Sequence, residues 1–181
     1  VKRIAKVSEM VVPFMAISYL LLSLFVLFFN VTSIPTAVAQ IFVGAFSPRA
    51  VAGGIAGSFL VAMQNGIARG IFSNEAGLGS APIAAAVAKT KEPVRQGLVS
   101  MTGTFIDTIV ICTLTGLTIV ITGSWNIGLD GVYVTMNAFS ALPGVFSEIG
   151  PVLLSVCLVF FAFTTILGWN FYGERCLEYI A

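Results

Sequence analysis

The feature that most constrains this chain is a long interval without charge, because no Asp, Glu, Lys or Arg lies between Glu9 and Arg49. Within it, residues 10–30 form a nearly continuous apolar run. As a helix rising about 1.5 Å per residue, this run would be roughly 30 Å long, the thickness of a bilayer's hydrocarbon core. Only 9% of the residues are charged and 57% are hydrophobic, whereas soluble domains carry about 25% charged residues. The sequence therefore predicts an all-α membrane protein whose first span covers residues 10–30.

Three further apolar segments are candidates for spans. Residues 97–122 contain a single charge, Asp107, and residues 151–173 contain none. Residues 57–89 consist of two apolar halves on either side of the polar residues 73–79; because the shorter half cannot cross a bilayer alone, we expect one broken span. Residues 36–46 are too short to cross and are predicted to lie at the membrane surface or against neighbouring spans. The sequence thus predicts about four spans, one of them broken.

Basic residues are concentrated on one side of the predicted spans. Those that precede the first span, connect the second to the third, or follow the fourth are Lys2, Arg3, Lys6, Lys89, Lys91, Arg95 and Arg175. The opposite side carries Arg49 with Asp130 and Glu148. The positive-inside rule then predicts a multi-pass protein of the plasma (inner) membrane, with both ends of this segment in the cytoplasm. Because the chain begins Val-Lys-Arg-Ile without an initiator Met or a signal-peptide pattern, we interpret it as an internal part of a longer protein.

Residue types that are absent or rare in the sequence limit the catalytic and metal-binding sites that the chain can form. There is no histidine, which removes Ser-His triads and imidazole zinc sites. Three scattered cysteines are too few for a disulfide framework. A net charge of +1 gives no argument for nucleic acid as a partner. We therefore expect a protein that is not an enzyme and uses no organic cofactor.

The polar residues 73–79 carry the strongest functional signal. They place a hydroxyl, an amide, a carboxyl and two glycines at membrane depth, where each unsatisfied polar group would cost several kcal/mol against lipid. Gly77 and Gly79 permit non-helical backbone, and Ser80 is expected to cap a second half-helix. Such a break exposes carbonyls on one side and amides on the other, which together suit a zwitterion. The alternative is a glycine kink used for packing, with Glu75 paired to Arg69 or Asn74.

Other polar groups lie at membrane depth on the neighbouring spans. Arg69, Glu75 and Asp107 form a predicted buried charge network, in which Arg69 pairs with Glu75 or Asp107 as a gate or as simple neutralisation. Thr164 and Thr165 lie near the middle of the fourth span, and hydroxyl oxygens are suitable ligands for a small hard cation. One face of the third span carries the polar residues Ser100, Thr104, Asp107, Thr108, Thr115 and Thr122, and this face is predicted to point inward.

The residues around the break also carry a family resemblance. Residues 65–82 read Asn-Gly-Ile-Ala-Arg-Gly-Ile-Phe-Ser-Asn-Glu-Ala-Gly-Leu-Gly-Ser-Ala-Pro. This run resembles the signature of the alanine or glycine:cation symporter family, the sodium:alanine symporters. Further matching segments are residues 89–90, 93–97, 103–108, 129–131 and 164–169. The resemblance implies a LeuT-type fold of inverted repeats, in which the four spans correspond to core helices five to eight and the broken span to helix six.

The resemblance also implies site residues and a mechanism. Phe72, Ser73, Asn74 and Gly77 would hold a small amino acid, and Thr164 and Thr165 would be hydroxyl ligands of a sodium ion. The implied activity is sodium-coupled symport of alanine or glycine by alternating access. Helices one and ten of that fold are missing from this segment, so the resemblance implies an incomplete part of the carrier that works with the missing helices.

The sequence leaves three other functional classes open. A pore or channel subunit could use the polar face of the third span to line a water-filled path without coupled transport. An intramembrane protease could use Asp107 as an acid, but it would need a second catalytic carboxylate, and Glu75 within a glycine-rich break is a poor candidate. A purely structural membrane subunit is the third alternative. Saturable, sodium-dependent uptake would separate a symporter from a pore.

Overall fold

The computed structural model describes residues 2–46, 56–75 and 77–180, and within these ranges the regular structure is entirely helical, with no strand. A π-helical stretch at Ile106–Cys112, called the π segment below, interrupts one long helix, and short 3-10 helices occupy Val31–Ser33 and Ser124–Asn126. The α-helices in chain order are α1 (Lys2–Phe29), α2 (Ile34–Phe46), α3 (Ala56–Ser73), α4 (Ser80–Ala85), α5 (Pro93–Phe105), α6 (Thr113–Ile121), α7 (Val132–Ser140) and α8 (Phe146–Ile180).

Three helical stretches in the described part of the chain are long and apolar enough to cross a membrane. They are Glu9–Phe29, Pro93–Ile121 and Phe146–Ile180. The predicted broken span is not one of them, because α3 contains Gln64, Asn65 and Arg69 and α4 has only 6 residues. The number of four spans and the LeuT-type arrangement therefore stay predictions. Helices α1 and α8 extend beyond the predicted spans, since helical backbone continues into the charged residues that flank each apolar run.

The chain divides into two compact units, and the first comprises Val1–Ile34 and Leu114–Ala181. Within it α1 and α8 are antiparallel, because Phe14 meets Phe160 and Phe25 meets Phe146, with ring centroids 6.0 Å and 4.8 Å apart. Helix α7 packs closely on α8, where a Cβ added at Gly150 would lie 2.9 Å from the carbonyl oxygen of Phe139. The largest apolar side chains of this core that are almost fully buried are Phe139, Leu154 and Val26.

The second unit, Pro35–Thr113, contains the helix break. Helix α3 ends at Ser73 and α4 runs only from Ser80 to Ala85, four residues short of the predicted end at residue 89. In the connection that follows α4, the Thr90 hydroxyl accepts a hydrogen bond from the Glu92 amide at 3.2 Å. Such a local side-chain bond competes with helical hydrogen bonding. Glu92 is also extended, as the residue before a proline usually is.

Candidate functional site

Three residues of the backbone between α3 and α4 have left-handed conformations. Gly77 and Gly79 have φ angles of 76° and 78°, and Glu75 has a φ of 51°. Glycine adopts these angles without strain, whereas a residue with a side chain rarely does. The positive φ of Glu75 is the unusual feature, since the neighbouring structure must hold it there.

Ser80 helps to hold Glu75 in this conformation, a role that differs from the capping role predicted from the sequence. Gly79 occupies the N-cap position of α4, and Ser80 is the first helical residue. The Ser80 hydroxyl is buried and donates a hydrogen bond to Glu75 Oε2 at 2.8 Å. The prediction that Ser80 caps the half-helix is therefore wrong, because its hydroxyl binds the Glu75 carboxylate across the break instead of a backbone amide of α4.

Two pairs of polar side chains connect the break to the π segment. Ser73 Oγ donates a hydrogen bond to Asp107 Oδ2 at 2.5 Å. Asn74 Nδ2 donates to Thr108 Oγ1 at 3.0 Å, and the Thr108 hydroxyl donates to Asn74 Oδ1 at 3.2 Å. Ser73 and Thr108 are exposed and Asn74 and Asp107 are half-buried. The four side chains form a polar cluster, called the break cluster below, that is still accessible to a further group.

The π segment allows two consecutive residues to reach the break together. Asp107 and Thr108 are neighbours in sequence, and their partners Ser73 and Asn74 are neighbours as well. A π-helical turn widens the helix and changes the direction of its side chains, and such turns occur frequently at functional sites. Sequence reasoning missed this segment. Its signal was the density of β-branched residues in Ile-Asp-Thr-Ile-Val-Ile-Cys, which lowers the preference for regular α-helix.

The remaining predicted residues of the break lie around this cluster. Phe72 precedes Ser73 at the end of α3, and its side chain is 65% exposed. Gly77 lies in the middle of the break. Arg69 lies one helical turn before Ser73, at the C-terminal end of α3. The structure thus joins Asp107 to Ser73 and Glu75 to Ser80, and the charge network with Arg69 stays a prediction.

Thr164 and Thr165 lie on α8, in the first unit. The Thr164 hydroxyl donates to the carbonyl oxygens of Phe160 and Phe161, both at 3.0 Å, and the Thr165 hydroxyl donates to that of Phe161 at 2.8 Å. Thr164 Oγ1 also lies 4.0 Å from Sδ of Met15 on α1. A hydroxyl that donates its hydrogen to a backbone carbonyl keeps its lone pairs as acceptors. Hydroxyls held in this way are suited to bind a hard cation such as sodium, and they would supply part of its coordination shell.

The whole chain matches a known family. The model of the sodium:alanine symporter family covers residues 1–181. An uncharacterized transporter of Haemophilus influenzae is 56% identical over 182 residues, covering 99% of this chain and 40% of the relative. The sodium/alanine symporter AgcS of Methanococcus maripaludis is 48% identical over 184 residues, covering 99% and 39%. The putative sodium/proton-dependent alanine carrier protein YrbD of Bacillus subtilis is 39% identical over 192 residues, covering 100% and 39%.

The matched relatives are longer than this chain. The chain spans about two fifths of the length of the curated relatives it matches. The family is one of cation-coupled amino acid symporters, a class of transporter rather than of enzyme, and its name gives sodium as the coupling ion. Together with three helices apolar enough to cross a membrane, the match makes this an integral membrane protein. The chain belongs to the sodium:alanine symporter family.

Proposed function

We propose that this chain forms part of a sodium-coupled symporter for a small neutral amino acid, alanine or glycine, that works by alternating access. The family supports coupled amino acid transport in general. The finer assignment depends on the break cluster, because its four polar side chains lie at the interruption between α3 and α4, which we propose to be a broken span. Polar groups at such an interruption are expensive unless they bind protein, water or a ligand.

The break cluster offers the groups that a small zwitterion needs. The C-terminal end of the 18-residue helix α3 carries partial negative charge, which favours an ammonium group. Ser73 and Asn74 add a hydroxyl and an amide, which can both donate and accept hydrogen bonds. The exposed ring of Phe72 offers an apolar surface for a methyl group. Gly77, which has no side chain, leaves space beside them for a small substrate.

Sodium is proposed to bind through the hydroxyl oxygens of Thr164 and Thr165. Two hydroxyls are fewer ligands than a hard cation usually takes, so the remaining oxygens would come from other parts of the carrier. We propose that these are helices of the same carrier beyond this segment, in keeping with the greater length of the relatives. Arg69, Glu75 and Asp107 are proposed to form the charge network at the substrate end, with Asp107 holding Ser73 in position.

The test is uptake of radiolabelled alanine into vesicles that contain the complete carrier. Uptake is measured with an inward sodium gradient, with a proton gradient, and with neither. We expect saturable, sodium-driven uptake that glycine inhibits. Flux that is unsaturable and independent of both gradients would contradict the symporter and favour a pore or channel.

The substitution Asn74→Ala tests the site itself. Removing the amide should abolish measurable substrate affinity, while the amount of carrier in the membrane stays unchanged. The matched control is Asn126→Ala, because Asn126 is exposed and its backbone amide donates a hydrogen bond to the Gly123 carbonyl oxygen at 3.1 Å. Normal alanine uptake by the Asn74→Ala carrier would remove the break cluster from the substrate site.

A further inference from the structure

The hydroxyl of Thr108 differs in direction from the hydroxyls of three nearby threonines in the stretch from α5 to the residue after α6. Thr102 and Thr104 on α5, and Thr122 directly after α6, each donate to the carbonyl oxygen four residues earlier. This is the usual arrangement of a threonine in a helix. Thr108 instead donates to the Asn74 side chain, 34 residues away in sequence. Its hydroxyl is thus directed to the break and not to its own helix.

The π segment explains this difference. In a regular α-helix the Thr108 hydroxyl could reach the carbonyl of Thr104, as those of Thr102 and Thr122 reach the carbonyls four residues before them. A π-helical turn replaces the i to i+4 pattern by i to i+5. The altered turn from Ile106 to Cys112 moves the Thr108 side chain out of that register, and its hydroxyl meets Asn74.

The contact fixes the orientation of the Asn74 amide. A carbonyl oxygen can only accept, so the Gly70 carbonyl, 3.1 Å from Asn74 Nδ2, determines which end of the amide carries the nitrogen. Thr108 Oγ1 then lies 3.0 Å from Nδ2 and 3.2 Å from Oδ1. Because the hydroxyl contacts both ends of the amide, rotation of the Asn74 side chain would break at least one hydrogen bond.

We propose that Thr108 is a positioning residue for substrate recognition, which acts by holding the Asn74 amide in one orientation from the π segment. This inference rests on the proposed function, since it assumes that Asn74 contacts the amino acid. A recognition group that is already oriented binds more tightly, because less side-chain freedom is lost when the ligand arrives. Thr108 therefore contributes to affinity for the amino acid through Asn74.

The experiment compares Thr108→Val and Thr108→Ser in the complete carrier, with sodium-driven alanine uptake as the measurement. Valine keeps the shape and removes the hydroxyl, whereas serine keeps the hydroxyl. We expect Thr108→Val to raise the KM for alanine about tenfold with little change in maximal rate, the effect of losing one hydrogen bond that orients a ligand group. Thr108→Ser should restore the KM. The control Thr102→Val removes an exposed hydroxyl that binds its own helix and should leave the KM unchanged.

Comparing the single substitutions Thr108→Val and Asn74→Ala separates this inference from the proposed function. A Thr108→Val carrier with unchanged KM, or one in which only its amount in the membrane falls, would overturn the positioning role while the loss of uptake in Asn74→Ala still supported the site. Normal uptake by Asn74→Ala alone would overturn both.

Discussion

At the scale of single residues, the direction of a hydroxyl hydrogen decides what the oxygen can bind. Thr164 and Thr165 direct their hydrogens to carbonyl oxygens of α8, so their oxygens are left as acceptors. Thr108 uses its hydrogen and its oxygen on the Asn74 amide. The first arrangement suits a cation ligand, whereas the second suits a residue that orients another side chain.

The substitution Thr165→Val tests the first arrangement. It should raise the sodium concentration needed for half-maximal alanine uptake, because valine has the same shape and no oxygen to coordinate the ion. The measurement is uptake as a function of external sodium at saturating alanine. The control is Ser155→Ala, since the Ser155 hydroxyl also donates to a carbonyl of α8, that of Pro151 at 2.8 Å. An unchanged sodium dependence in Thr165→Val would remove this residue from the proposed sodium site.

The break shows what the residue types alone could predict. Gly77 and Gly79 indicated non-helical backbone, and both have positive φ angles. The positive φ of Glu75 could not be predicted, because it depends on contacts such as the hydrogen bond from Ser80. For the same reason Ser80 was assigned as a cap, since its type and place before Ala81 and Pro82 fit that role. The competing carboxylate is five residues earlier, and its approach depends on the conformation of the turn.

At the scale of helices, α1 and α6 contain both satisfied and unsatisfied polar groups. The hydroxyls of Tyr19 on α1 and Thr115 on α6 lie 2.5 Å apart and share a hydrogen bond. Ser23 and Thr118, each one turn further along its helix, are completely buried and have no hydrogen-bond partner for their hydroxyls within the described ranges. A buried hydroxyl without a partner is destabilising, whereas a paired one contributes to stability.

Opposite effects are therefore expected from two substitutions that each remove one hydroxyl. Thr118→Val should leave unchanged or raise the thermal unfolding midpoint of the detergent-solubilised carrier, because it removes an unpaired polar group at nearly constant shape. Tyr19→Phe should lower the midpoint, since it breaks the contact with Thr115; the free energy of unfolding should fall by about 1 kcal/mol. A lower midpoint for Thr118→Val would indicate that its hydroxyl is paired in the complete carrier.

Long apolar helices were predictable, but their internal geometry was not. The runs at residues 10–30, 97–122 and 151–173 lie within helices or consecutive helical segments of the structure, except for Asn30 and Thr122, which directly follow α1 and α6. Apolar composition predicts a helix over residues 97–122 whether or not it contains a π-helical turn, so only the density of β-branched residues distinguished the π segment from α5 and α6. That turn matters because it brings Asp107 and Thr108 to the break. The helices could thus be predicted from composition, whereas the pairing of the break cluster could not.

At the scale of the whole molecule, the distribution of apolar surface agrees with a membrane environment and with further protein contacts. Many large apolar side chains remain exposed on the long helices, among them Phe14, Leu21, Val159 and Ile166. Lipid accepts such surfaces as readily as a protein interior does. An excess of exposed apolar surface therefore agrees with the membrane assignment. It also leaves surface against which additional helices of the proposed carrier could pack.

The orientation of the chain is a prediction from its charges that labelling can test. Lys91 lies in the basic connection between α4 and α5, and Asp130 lies just before α7; both are exposed. The positive-inside rule predicts that the first is cytoplasmic and the second faces the opposite side. In a carrier whose native cysteines have been replaced, Asp130→Cys should react with a membrane-impermeant maleimide in intact cells. Lys91→Cys should react only after the membrane is permeabilised.

Each of these substitutions serves as the control for the other, because both place a thiol in an exposed non-helical segment. Labelling of Lys91→Cys in intact cells, with protection of Asp130→Cys, would show that the charge asymmetry has been assigned the wrong way round. Labelling of both from the same side would mean that the helices between them cross the membrane an even number of times. The predicted pattern requires the stretch Pro93–Ile121 to cross once. Because this stretch contains Asp107 and Thr108, the crossing would place these two residues of the break cluster within the bilayer.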